Sequence, residues 1–112
     1  LLAEAYLRQN MPDKAADAVN EVRRRAKVAD VSDDEMTMDY LLDERIRELY
    51  GEESRRFTLV RTGKLIERVK KYNPEARDLI QDFHVLWPIP QAVRDANTGE
   101  FPQNPGYEGY EG

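Results

Sequence analysis

Apolar residues at Leu2, Ala5 and Tyr6 follow the i, i+3, i+4 spacing of a helix that buries one stripe. Asn10-Met11-Pro12 ends that helix and begins another, because proline suits a first helical turn and Asp13 complements the positive end of the dipole. Ala15, Ala18, Val19, Val22 and Ala26 then form a stripe of mostly small residues, with Asp17, Glu21 and Arg23 to Arg25 on other faces. Two helices joined by a tight turn and packed through alanines approach closely, as in a helical-repeat, TPR-like hairpin. Residues 27–36 are acid-rich without periodicity and read as a connecting loop.

A third helix starts either at Ser32, which has capping-box spacing to Glu35, or at Thr37, followed by Asp39. Its expected buried stripe is Met38, Leu41, Leu42, Ile46 and Leu49, with Glu44, Arg45, Arg47 and Glu48 alternating in sign along the outside. Gly51 costs a helix roughly 1 kcal/mol relative to Ala, so a break is expected there before Glu52 to Leu65 resume. Beyond Thr62-Gly63, Leu65, Ile66 and Val69 carry the pattern to Lys71, and Asn73-Pro74 stops it. Leu79, Ile80 and Phe83 suggest a further short helix over Glu75 to Phe83. From His84 to Pro90 two prolines exclude both a helix and a central strand, so this apolar run is expected to be extended. Gln91 to Gly112 reads as a loop-rich acidic tail in which Arg94 stands against Asp95, Glu100, Glu108 and Glu111. The expectation is an all-α fold: helical over 1–83, with an extended, loop-rich tail over 84–112.

Composition narrows this picture. Leu, Ile, Val and Phe supply 25 of 112 residues, just above the roughly 20% below which chains tend to stay disordered, so the core is small. The net charge is −5. No apolar run approaches the ~20 residues of a membrane-spanning helix, and the absence of cysteine excludes disulfides and thiolate chemistry within this stretch. The chain opens in mid-pattern without an initiator Met or a signal peptide, and reads as a piece of something longer.

Three separated segments resemble one family. Residues 3–7 (A-E-A-Y-L) and 15–26 (A-A-D-A-V-N-E-V-R-R-R-A) are similar to the helical hairpin of the SusD-like (RagB/SusD) nutrient-binding lipoproteins of the bacterial outer membrane. Glu44-Arg45, Glu48-Leu49, Glu52, Arg55, Leu59, Arg61 and Gly63-Lys64 resemble that family's long E-R-x-x-E-L motif, with Glu53, Arg56 and Thr58 replacing its common Gly, aromatic and Asp. Pro88-Ile89-Pro90-Gln91 and Gln103-Asn104-Pro105-Gly106-Tyr107 resemble its P-I-P and terminal Q-N-P-G-Y. The resemblance rests on the order of the three and covers nearly the whole chain as a C-terminal segment. It implies a lipid-anchored, mostly helical, non-enzymatic protein that captures an oligosaccharide, such as a starch-like nutrient, and passes it to a TonB-dependent SusC-like transporter. The anchor and most ligand contacts would lie outside these residues.

The residues themselves offer little catalytic chemistry. Glu44 and Glu48 could be imagined as paired carboxylates, but they sit at i, i+4 with Arg45 and Arg55 as available counter-charges, an arrangement unsuited to holding a proton near neutrality. Glu44, Arg45, Glu48, Glu52, Arg55 and Arg61 are instead expected to form a structural ion-pair network. Arg23-Arg24-Arg25 lies close to Asp17 and Glu21 in a net-negative chain, which reads as a solvated helix face and excludes a nucleic-acid surface. His84 has no second histidine or cysteine for metal binding or catalysis and reads as a packing or hydrogen-bonding residue. Trp87, Tyr107 and Tyr110 could stack on sugars, but Trp87 lies between Leu86 and Pro88 and is expected to pack in the core. Gln103-Asn104 reads as a turn held by side-chain amides.

No catalytic residue, metal or cofactor is therefore expected, and no binding residue is assigned. The alternative reading is a free-standing helical-repeat module that binds a protein or peptide. Arg55→Ala is expected to lower the melting temperature and leave ligand affinity unchanged; affinity lost at unchanged stability would contradict a structural role.

Overall fold

The computed structural model describes residues 1–110 as all-α, with six α-helices, one short 3₁₀ turn and no strand among the described residues. Glu111 of the expected tail lies outside them. The chain groups into two units, Leu1–Glu53 and Ser54–Gly112.

In the first unit α1 (Leu2–Arg8) and α2 (Pro12–Arg25) pack together as expected from their alanines, with α3 (Met38–Glu48) beyond a long loop. Both α1 and α2 end in Schellman turns. Asn10 takes φ 58° while Met11 N–H reaches Tyr6 C=O at 2.9 Å; Lys27 takes φ 59° while Val28 N–H reaches Arg23 C=O at 3.0 Å. Asparagine enters this left-handed region more readily than lysine. Ala3, Ala15, Ala16, Val19, Val31, Met36 and Leu41 form the core cluster. Ala26, assigned to the α2 stripe, is exposed, while Ala16 and Asn20 are buried in its place.

Asn20 is buried because its amide replaces a strand partner. Its Nδ2 donates to Val31 C=O at 3.0 Å and its Oδ1 accepts from Val31 N–H at 2.8 Å, pinning the 27–36 loop against α2. Thr37 caps α3, its Oγ1 accepting from Tyr40 N–H at 3.2 Å. Ser32 starts no helix; its N–H and hydroxyl close a turn onto Glu35 and hold that carboxyl below its usual range.

Along α3, Leu42 is fully buried but Ile46 is 43% exposed, against the expected stripe. Glu44 and Glu48 turn toward α2, bonded to Arg23 and Arg25, while Ile46 lies on the other side of the helix one turn past buried Leu42. Leu2 is likewise exposed, and Ala3 and Glu4 are the buried residues of α1.

In the second unit α4 (Arg55–Arg61) ends at a third Schellman turn, with Gly63 at φ 71° and Lys64 N–H on Leu59 C=O at 2.8 Å. The helix thus resumes at Arg55 and breaks at Thr62 rather than running from Glu52 to Leu65. α5 (Leu65–Tyr72) stops at Asn73 as expected. The helix expected over Glu75 to Phe83 is reduced to turns over residues 74–79, opened by Asn73 Oδ1 accepting from Ala76 N–H at 3.1 Å, and a 3₁₀ turn at Asp82–Val85. The expected extended run therefore begins only at Leu86. Nor is the rest of the tail simply extended, because α6 (Gln91–Asp95) follows Pro90. Arg94 reaches neither Glu100 nor Glu108; its guanidinium donates to Phe101 C=O at 3.1 Å and Gly109 C=O at 3.2 Å.

Gly63→Ala is expected to lower stability by about 1 kcal/mol, since an L-residue resists φ > 0 and nothing lies within 4 Å of the added methyl. Lys27→Gly should shift it the opposite way in urea unfolding; no change in either variant would show that these turns do not control the helix ends.

Candidate functional site

The second unit carries a groove of about 430 Å³, bordered by Arg56 from α4, Ala76, Leu79 and Ile80 from the turns, and His84, Leu86, Trp87, Pro88 and Tyr107. Its size falls in the range of small-ligand sites, roughly 300–1,000 Å³. The aromatic wall is held by a clasp between the proline-rich run and the residues after α6. Tyr107 Oη donates to Leu86 C=O at 2.9 Å, and Asn104 Nδ2 donates to Trp87 C=O at 2.7 Å. Gln103 Nε2 donates to Ile89 C=O at 2.9 Å while its Oε1 accepts from Ile89 N–H at 2.7 Å and from Asn104 N–H at 2.9 Å. Prolines at 88 and 90 offer no N–H, so Ile89 is the one residue between them that can pair through both backbone groups.

Aromatic contacts close the clasp. Phe83 meets Tyr107 edge to face at 4.9 Å between ring centres, and His84 lies 4.3 Å from Phe83. His84 Nδ1 accepts from Gln81 N–H at 2.9 Å, which fixes the ring. Gly106 at φ 87° is obligatory: a Cβ there would lie 2.2 Å from Phe83 Cγ.

Trp87 is 62% exposed, which corrects the expectation of core packing. Its backbone is fixed from behind by the clasp, and the indole is left on the surface. The Arg56 guanidinium lies 5.0 Å from the ring centre and donates to His84 C=O at 2.6 Å. Tyr107 faces the groove, whereas Tyr110 does not border it.

The family model of the SusD family matches residues 1–107. The chain belongs to the SusD family. No curated protein and no solved structure matches it significantly. The two terminal motifs of this SusD-family chain, P-I-P-Q and Q-N-P-G-Y, are thus the two halves of one clasp, and the amide turn read at Gln103-Asn104 reaches much farther than its own loop.

The charged series lies mostly in the first unit. Glu44, expected outside, is buried and accepts from Arg23 Nη1 at 2.9 Å and Arg47 Nη2 at 2.7 Å. Its hydrogen bond holds the Arg47 guanidinium above its usual range. Glu48 pairs with Arg25, and Arg45 pairs with Glu53 at 3.0 Å. The structure therefore brings Glu44 and Glu48 to α2 rather than to Arg45. The arginine triplet, read as a solvated face, supplies the partners: Arg23 also reaches Ala29 C=O at 2.6 Å, and Arg24 pairs with Asp30. Glu52 is exposed in the turn after α3; Arg55 and Arg61 open and close α4. A second groove, about 330 Å³, runs beside α1 to α3, but it has no aromatic ring to receive a sugar.

Sequence reasoning missed Arg56 and the exposure of Trp87. The only signal was Arg56 standing where the resembled motif carries an aromatic; apolar neighbours of Trp87 pointed the wrong way. Gln103→Ala is expected to cost about 1–3 kcal/mol, because Ile89 loses both backbone partners. Thermal unfolding checks this, and a change below about 0.5 kcal/mol would mean that the clasp does not hold the groove.

Proposed function

We propose that this SusD-family chain takes part in non-enzymatic capture of an oligosaccharide nutrient at the bacterial outer membrane, for delivery to a TonB-dependent SusC-like transporter. The family match over residues 1–107 carries this reading. Reversible capture needs aromatic surface for the C–H faces of sugar rings and polar groups at its edges, with no bond broken. The exposed Trp87, with Arg56 and Tyr107 bordering the same groove, supplies such groups in the second unit. The bonded carboxylates Glu44 and Glu48, each held by arginine, support a scaffolding role for the first unit. Stacking of its α1–α2 hairpin on further helices of the protein, and docking on the transporter, complete the proposal. Surface placement would come from a lipid anchor, as the family resemblance implies; no helix among the described residues is long and apolar enough to cross a membrane.

A glycan-binding screen on the full chain is expected to return oligosaccharide binding without release of reducing sugar. Sugar release would make the protein an enzyme, and binding to no glycan would remove this reading.

A further inference from the structure

We infer that the Trp87 groove is a sugar-contact site selective for an acidic pyranose, a uronic acid residue, whose C–H face lies on the indole and whose carboxylate meets Arg56. This rests on the glycan-binding reading and adds to it a location and a ligand class.

Three observations carry the inference. Trp87 is exposed yet its backbone is tied at Leu86, Trp87 and Ile89 by Tyr107, Asn104 and Gln103, so little ordering is lost when a ring docks on it. Arg56 is the one Arg, Lys, Asp or Glu among the described residues that border the groove, so no carboxylate of those residues lines it. Among the described residues Arg56 makes no ion pair; it bonds only the neutral His84 carbonyl and lies against the indole.

A half-buried guanidinium facing apolar walls leaves its attraction for an anion unused. A neutral sugar would cover the indole and leave that charge uncompensated. A glutamate or aspartate side chain would compensate the charge but bring no flat C–H face to the ring. A uronic acid supplies both on one rigid ring, and the carboxylate–guanidinium contact is the strong, charge-assisted kind.

Trp87 is the single tryptophan of the chain, so its fluorescence reports occupancy directly. The full chain would be titrated with oligogalacturonate, with maltooligosaccharide of equal length and with oligoglutamate, following Trp87 emission and heat release in low and high salt. Oligogalacturonate is expected to shift the emission and to bind about tenfold more tightly than the neutral sugar, with the difference shrinking in high salt. Arg56→Gln should abolish that preference, and Trp87→Phe, which keeps an aromatic platform, should retain binding by calorimetry while Trp87→Ala loses it. Thermal melts of each variant separate a binding defect from a folding defect; if Trp87→Ala does not fold, the wild-type emission and Arg56→Gln decide. Equal binding of the neutral sugar, or an acidic preference that survives Arg56→Gln, overturns the inference. An equal response to oligoglutamate assigns the groove to acidic peptides and also overturns it. Sugar binding seen by calorimetry without any change at Trp87 places the glycan elsewhere: the inference then falls while glycan capture stands.

Discussion

Backbone outside the helices has to find hydrogen-bond partners that the helices do not supply, and in this chain two side-chain amides meet much of that need. Asn20 engages both backbone groups of Val31, and Gln103 engages both backbone groups of Ile89. Each amide does what a neighbouring strand would do for one residue, in a structure without strands among its described residues. Both side chains are buried, where an unpaired amide would be costly and a fully paired one fixes a single geometry. With Val31 pinned, the loop lies along α2 and Arg23 can reach both Ala29 and Glu44. With Ile89 pinned, Leu86 and Trp87 come within reach of Tyr107 and Asn104, and the groove has a wall.

The charges of the first unit serve position more than stability. Exposed pairs such as Arg24–Asp30 contribute little in water. Glu44 differs because it is buried and shared between Arg23 of α2 and Arg47 one turn along α3. Removing one partner would leave charge without compensation in a poorly solvated place, so the arrangement specifies how α3 meets α2 even where its net stabilisation is small. The arginine triplet is therefore part of the packing between helices, and its acidic neighbours on α2 are secondary.

Membership of the SusD family and the groove of the second unit bear on function at different levels. The family points to glycan-binding nutrient uptake. The groove adds its own chemistry: an indole on a run whose backbone is tied down, with a guanidinium against it that no carboxylate among the described residues neutralises. Under the proposal made for this groove, neutral stacking and a directed charge on one surface would tell one sugar ring from another.

The sequence by itself determined the helical class, the tight turn at Asn10 to Pro12, the break around Gly51, the stop at Asn73 and the family, because these depend on local spacing, on proline and glycine, and on the order of short motifs. Only the tertiary structure decided which face of α3 is buried, why Asn20 and Gln103 lie inside, and why Trp87 does not. Hydropathy ranks a residue without its partners: Glu44 and Asn20 count as polar until an arginine or a backbone peptide is brought to them, and Ile46 and Trp87 count as apolar even where the packing leaves them in water. Likewise the short α6 and the turns over 74–79 are accompanied by bonds from Arg94 to Phe101 C=O and from Ala76 N–H to Asn73, which no periodicity along the chain announces.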